Sequence, residues 1–317
     1  MKVRTAGLLD LSKIEEMHRS SETRLSEAAP PAARLWSLLS STLSALLPLS
    51  QETLMYVAED GGKVVGFIQA SGQPQALDLR RARVLQVLNL QVTDESDTDE
   101  VAPALVQHLC NQALERGALR LFVRLPDRDA LLPAFRLQGF RQYATEQVLF
   151  SERPKQRSEE YPLGLRASRR GDDRKLYQLY RKVTPHGVSQ VEAPTYREWR
   201  ALHAGEAASS QIVDRIETVG WVRMDRGGGA RPDTLRFMVL PESPLPSELA
   251  DFGISLLSDS RGPTWSSLRH YDSHMIDALR GRGFSVLLTQ LLLVRELAVR
   301  VPKAKPVREK GLVPSFG

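Results

Sequence analysis

Phe135-Arg136-Leu137-Gln138-Gly139-Phe140 and Leu279-Arg280-Gly281-Arg282-Gly283-Phe284 are two short apolar helix ends, each running into Gly-Phe. Outward from them, the same order of elements occurs twice. The first copy opens on Val3-Arg4-Thr5-Ala6 and an amphipathic run to Met17. It passes through a Gly-centred hairpin into Val64-Val65-Gly66-Phe67-Ile68 and a strand Val87–Val92, and closes on Phe140. The second opens on Leu165-Arg166-Ala167-Ser168 and a run to Tyr180. It passes through Thr218-Val219-Gly220-Trp221-Val222 and the strand Leu235–Val239, and closes on Phe284. Matched points lie 162, 154, 147 and 144 residues apart (3 to 165, 66 to 220, 92 to 239, 139 to 283), a drift expected of loop insertions. The repeat predicts two tandem units of one design.

The chain's 317 residues are enough for two domains, and 42% hydrophobic with 26% charged residues suits a packed core. No uncharged apolar run reaches the roughly 18 residues of a membrane-spanning helix. The start of the chain lacks a basic region followed by an apolar one, so no secretory signal is read there. A single cysteine, Cys110, excludes an intrachain disulfide and suits a reducing, cytoplasmic setting. It lies in an apolar helical stretch and reads as an inert core thiol. No Cys/His spacing suggests a metal site.

The net charge of +5 is uneven, at −2 over residues 1–150 and +7 over residues 151–317. Arg300–Gly317 supplies +4 of it and reads as a basic, disordered tail. No basic patch interleaved with aromatics accompanies it, so nucleic-acid binding is the weakest reading.

Periodicity predicts an α/β chain with mostly antiparallel mixed sheets. Residues 1–150 read as strand, helix, helix, hairpin, strand, helix, strand, helix, strand. The second helix spans about Ala32–Leu47, and the nearly continuous apolar strand Val84–Val92 reads as central. Residues 151–162 are polar, hold two prolines and read as a linker. Residues 163–299 repeat the order, with helices Asp172–Val183, Pro194–His203, Ser247–Asp259 and Ser273–Arg280. Arg226-Gly227-Gly228-Gly229-Ala230 reads as a surface insert.

This order, with a hairpin ending in Gly-Phe-Ile and a late helix ending in Gly-Phe, resembles the GNAT superfamily of acyl-CoA-dependent N-acetyltransferases. The resemblance covers nearly the whole chain, once per half, in a tandem arrangement similar to that of mycothiol synthase. It implies two GNAT-like domains, each a mostly antiparallel mixed sheet flanked by helices. It implies acetyl-CoA or another acyl-CoA as cofactor and a small-molecule or peptide amine as acceptor.

The superfamily's pyrophosphate signature, Arg/Gln-x-x-Gly-x-Gly/Ala, is absent from both halves. Its glycines let backbone N–H groups close on the pyrophosphate at a helix N-terminus. Anchored on Leu105-Val106, its positions fall on Asp97, Glu100 and Ala102. Asp94, Glu95 and Asp99 crowd the same loop, where like charge repels the ligand. Anchored on Leu256-Leu257, they fall on Glu248, Asp251 and Gly253, of which Gly253 alone fits. The tyrosine that many members place four residues before the late Gly is Phe135 in one half and Leu279 in the other, and neither donates a proton.

The resemblance puts any cofactor site more readily in the second half. The main chain of Met238, Val239 and Leu240, or of Leu90, Gln91 and Val92, would bind the pantetheine arm, and Gly253 the phosphates. Arg269-His270-Tyr271-Asp272-Ser273-His274 follows a strand whose end borders the acyl-transfer site. His270 is the candidate general base and Tyr271 the candidate acid. The plainer reading of that stretch is a polar turn with Asp272 or Ser273 capping a helix. Thr184-Pro185-His186-Gly187 reads as a loop near the acceptor. Trp221 and Phe67 are repeat equivalents and read as core. Two functions stay open, an N-acyltransferase and an inactive relative serving as a ligand- or protein-binding scaffold.

Overall fold

The computed structural model describes residues 1–17, 53–72, 84–93, 96–203, 209–227, 232–242, 244–257 and 262–297. The helix expected at Ala32–Leu47, Asp94, Glu95, residues 228–230 and the basic tail lie outside the described residues. The first unit has β1 (Lys2–Thr5), a helix α1 over 11–17, β2 (Thr53–Asp60), β3 (Lys63–Gly72), β4 (Val84–Val92), α2 (Thr98–Glu115), β5 (Arg120–Pro126), α3 (Leu132–Leu137) and β6 (Arg141–Ser151). The second has β7 (Leu165–Ala167), α4 (Asp173–Val183), α5 (His186–Glu192), α6 (Tyr196–Leu202), β8 (Ser209–Asp214), β9 (Thr218–Asp225), β10 (Asp233–Val239), α7 (Leu245–Ser255), β11 (Thr264–Arg269), α8 (Ser273–Arg280) and β12 (Ser285–Glu296). Thr184–Gly187, read as loop, enters α5.

The repeat is visible in matched local chemistry. Gly139 and Gly283 have φ of +78° and +89°. In each copy the Phe amide bonds back to the fifth residue before it (Phe140 N to Phe135 O, 3.1 Å; Phe284 N to Leu279 O, 3.2 Å), so the Gly-Phe pairs are Schellman helix ends. Arg4 holds Asp10 through both guanidinium nitrogens and donates to Glu59, while Arg166 holds Asp172 likewise and donates to Asp214. In both copies the arginine hydrogen bond is the chief cause of the lowered Asp pKa. Gly66 and Gly220 let a helix lie close on the hairpin. A Cβ on Gly66 would sit 3.0 Å from Val101 Cγ1, and one on Gly220 3.4 Å from Leu249 Cδ2.

The expectation of one sheet per domain is corrected. The strands form a single twelve-stranded sheet in the order β1-β2-β3-β4-β5-β12-β6-β11-β10-β9-β8-β7. The units exchange their last strands. β12 pairs antiparallel with β5 of the first unit, and β6 pairs antiparallel with β11 of the second, while β12 and β6 pair with each other. The cores follow the exchange. Leu293 and Leu297 bury into the first unit's core beside Leu121 and Phe135, and Leu149 buries into the second's beside Leu235 and Leu279. β12 is apolar along much of its length, Leu-Leu-Thr-Gln-Leu-Leu-Leu-Val, as a strand at the centre of a sheet requires. No helix among the described residues is long and apolar enough to cross a membrane.

Candidate functional site

Two breaks in the hydrogen-bonded sheet shape the site. β4 and β5 run parallel but pair only at Val84–Gln86 with Arg120–Phe122. β10 and β11 are parallel and pair only at Asp233-Thr234 with Thr264-Trp265. Beyond those points β4 pairs only with β3, and β10 only with β9, so each inner edge turns its main-chain groups toward a gap. The gaps open toward opposite ends of the sheet, because β5 and β11 are antiparallel through β12 and β6.

A cavity of about 940 Å³ is walled by both splayed pairs and by the central strands between them. Its polar floor comes from alternate residues of those strands. Arg269 on β11 donates to Glu146 on β6 (2.8 Å) and to Glu192 at the end of α5. Arg124 Nε on β5 approaches the other Glu146 oxygen at 3.9 Å. Tyr143 donates to Glu192 at 3.0 Å, and Tyr180 reaches it at 3.4 Å. α5 roofs the floor. Arg120 anchors it by donating to the Val191 carbonyl and to Glu198 on α6, and Val188 packs on Ala144 and Leu292.

Electrostatics separate the titratable groups. Burial pushes the Asp272 carboxyl up to about 7, against the opposing pull of the Arg269 amide and charge. Asp129, its counterpart after β5, is also pushed up by burial. The two share a turn. Asp129 N and Asp272 N each bond to the carbonyl three residues back, and each carbonyl accepts from the amide three residues on. Burial raises the Tyr271, Tyr180 and Tyr143 phenols, so all three hold their protons at neutral pH. Burial would lower the Arg269 pKa, but Glu146 and Glu192 outweigh it and fix that charge. His203 is drawn down to about 4 by burial and is neutral.

Of the residues singled out by sequence, Tyr271, Met238, Leu90 and Gln91 line the cavity. Val92, Val239 and Leu240 do not. Val92 pairs with Gly66, and Val239 and Leu240 pack on the second core. His270 is exposed and off the cavity wall, its Nδ1 3.3 Å from the Thr145 carbonyl. Gly253 lies in the body of α7, not at its entry. A Cβ there would meet Phe237 Cζ at 2.9 Å, so its smallness serves helix–sheet packing. Asp251 is buried against Arg282. Burial opposes its ionisation, but two Arg282 hydrogen bonds and the Arg157 amide outweigh it and lower its pKa. Asp272 is the N-cap residue of α8, as the plainer reading had it, and also lines the cavity.

The helix entries carry few open donors. In α2 the Asp97 carboxylate accepts from Asp99 N at 2.9 Å, and Glu100 N and Val101 N bond to the Asp97 carbonyl. In α7 the Leu245 amide bonds to Glu242 O, position 246 is proline, and the Ser247 and Glu248 amides bond to Pro244 O. Arg124, Glu146, Glu192 and Arg236 were not picked out by sequence, and Arg269 only as the first residue of the turn after its strand, with no role. For those on strands, the one available signal was polar residues alternating on strands that otherwise read as core, and Glu192, on α5, carried none.

Residues 14–140 match the model of the Acetyltransferase (GNAT) family. The chain is similar to a GCN5-related N-acetyltransferase from Sphaerobacter thermophilus, with TM-score 0.60 and 15% identity over 93% of this chain and 95% of that one. It is similar to a tandem GNAT protein from the clavulanic acid biosynthesis pathway, with TM-score 0.54 and 13% identity over 94% of this chain and 98% of that one. A GCN5-related N-acetyltransferase from Anabaena variabilis gives TM-score 0.50 and 13% identity over 94% and 73%. No curated protein matches the chain. The chain is a tandem GNAT-fold protein. Its first unit is the part that the family model itself matches.

Proposed function

We propose that the protein is an acyl-CoA-dependent N-acyltransferase whose second unit carries the reaction in the gap between β10 and β11. The observation that carries this reading is Asp272, a carboxyl held near neutrality on the wall of the cavity at the end of β11. A general base works best with a pKa near the working pH, and burial is a recognised means of tuning one. Asp272 would take the proton from the acceptor ammonium. Tyr271, whose phenol burial raises so that it is protonated at neutral pH, supplies a hydroxyl donor at the adjacent position on the cavity wall.

Bound acyl-CoA supplies the activated acyl group. The unpaired inner edge of β10, with Met238 on the cavity wall, suits the amide-rich pantetheine arm. The pyrophosphate fits less well, because the first-turn amides of α7 are already bonded and position 246 has none. The reading therefore expects weaker cofactor binding than an open phosphate loop gives.

A second reading, an inactive scaffold, is favoured by the first unit. There Asp97 supplies its own carboxylate to the α2 entry, and Asp99 and Glu100 add like charge. Isothermal titration of the full chain with acetyl-CoA and CoA separates the two. Binding at one site per chain, abolished by bulky substitution at Met238 but not at Leu90, supports the enzyme. No binding up to millimolar concentration supports the scaffold.

A further inference from the structure

Arg124 and Arg236 come from β5 of the first unit and β10 of the second, and both line the central cavity. Their side chains are 53% and 50% exposed, so their guanidinium groups are open to it. Among the described residues, each has as its ion-pair partner a carboxylate that it shares with another arginine. Arg124 is 3.9 Å from Glu146, whose other oxygen accepts from Arg269. Arg236 Nε is 3.4 Å from Asp225 Oδ2, while Arg223 Nε holds Asp225 Oδ1 at 2.7 Å. Four arginines, Arg124, Arg223, Arg236 and Arg269, thus meet Glu146, Glu192 and Asp225 in and beside one cavity, and the two further carboxyls on its wall, Asp129 and Asp272, are both pushed toward their neutral form by burial.

The β9–β10 register adds a local conflict. Arg236 stands directly opposite Arg223. Like charges facing across antiparallel strands are destabilising, and such conflicts mark functional sites. Although half of its side-chain surface faces open space in the cavity, the surrounding walls desolvate Arg236 and lower its pKa, and, against Asp225 and Glu146, the Arg223 and Arg124 charges push the same way. An anion in the cavity would relieve all three. A guanidinium fork matches a carboxylate in bidentate fashion. Glu146, 3.9 Å from Arg124 and acting on the Arg236 charge, disfavours a dense dianion such as phosphate and tolerates a monoanion.

We propose that Arg124 and Arg236 form a carboxylate-binding subsite in the central cavity, and that its ligand is an amine or amide bearing a free carboxylate, as an amino acid does. On the acyltransferase reading the amine form of this ligand is the acyl acceptor and the amide form the product; that assignment rests on the reading, and the subsite itself does not. The two units then share one ligand site, with one arginine from each.

The test is calorimetric titration of the full chain with a set of N-acetyl-L-amino acids and their C-terminal methyl amides. At least one acid is expected to bind at one site per chain, tenfold or more tighter than its amide. The preference should fall below twofold in Arg124→Gln/Arg236→Gln and recover in part in Arg124→Lys/Arg236→Lys, with unchanged circular dichroism. Equal binding of acid and amide, no binding, or a preference that survives the glutamine pair overturns the subsite. So does loss of acetyl-CoA binding in that variant with acid binding intact, which would assign the arginines to the cofactor. Acid preference in a chain that does not bind acetyl-CoA leaves the subsite standing and removes the acyltransferase reading.

Discussion

Asp272 is the residue on which most turns. Its carboxyl binds a proton more tightly folded than unfolded, so the folded state gains from acid here. The contribution is present below about pH 4 and is lost as pH rises through about 7. Asp272→Asn should therefore flatten stability between pH 5 and pH 8, as read from urea melts. In an active enzyme the same group must be unprotonated, so kcat/KM should rise with pH to a midpoint near 7, and the Asn variant should lose the rate about 100-fold or more. An unchanged profile in Asp272→Asn would remove the base. Asp251 behaves oppositely, as a buried carboxylate held charged by Arg282. Arg282→Met should cost about 3–5 kcal/mol in chemical denaturation, because it leaves that charge unpaired. Asp272 was legible from sequence as a helix cap only. Its proton affinity comes from burial, which sequence spacing does not report.

At the scale of elements, the positions of the strands were legible and their partners were not. The apolar run of β4 and the turn glycines fixed where strands begin and end, because those signals are local. The exchange of β6 and β12 depends on which inner edge each finds, a contact between residues more than a hundred positions apart. Residues 1–155 and 156–317 made separately should each lack one central strand, and neither should give a folded monomer by size exclusion and circular dichroism. Made together, they should recover a one-to-one complex. Folded monomers of either piece would mean that each unit can take back its own last strand. α5 shows the same limit. Its apolar contacts lie on strands of both units, and Thr184-Pro185-His186-Gly187 alone reads as loop.

For the whole molecule, one continuous sheet with exchanged strands predicts one cooperative transition. Calorimetric and van't Hoff enthalpies should agree, although a chain of this length with two units would ordinarily melt in two steps. Two resolved transitions would show that the exchange does not couple the units. The cavity is also a property of the whole. Its arginines come from both units, and its roof is tied down by Arg120 of the first unit acting on α5 and α6 of the second.

Duplication, the GNAT-like order of elements, the Schellman ends at Gly139 and Gly283, and the charged helix entry at Asp97 were all determined by the sequence. Each depends on short-range periodicity, on a glycine's backbone freedom or on charge at adjacent positions. Only the tertiary structure decided that the units share a sheet, that Asp251 is spent on Arg282, and that Arg124, Glu146, Arg269 and Arg236 meet at one floor. Those residues sit on four strands, and sequence periodicity tells which face of a strand a side chain takes, not which strand lies beside it.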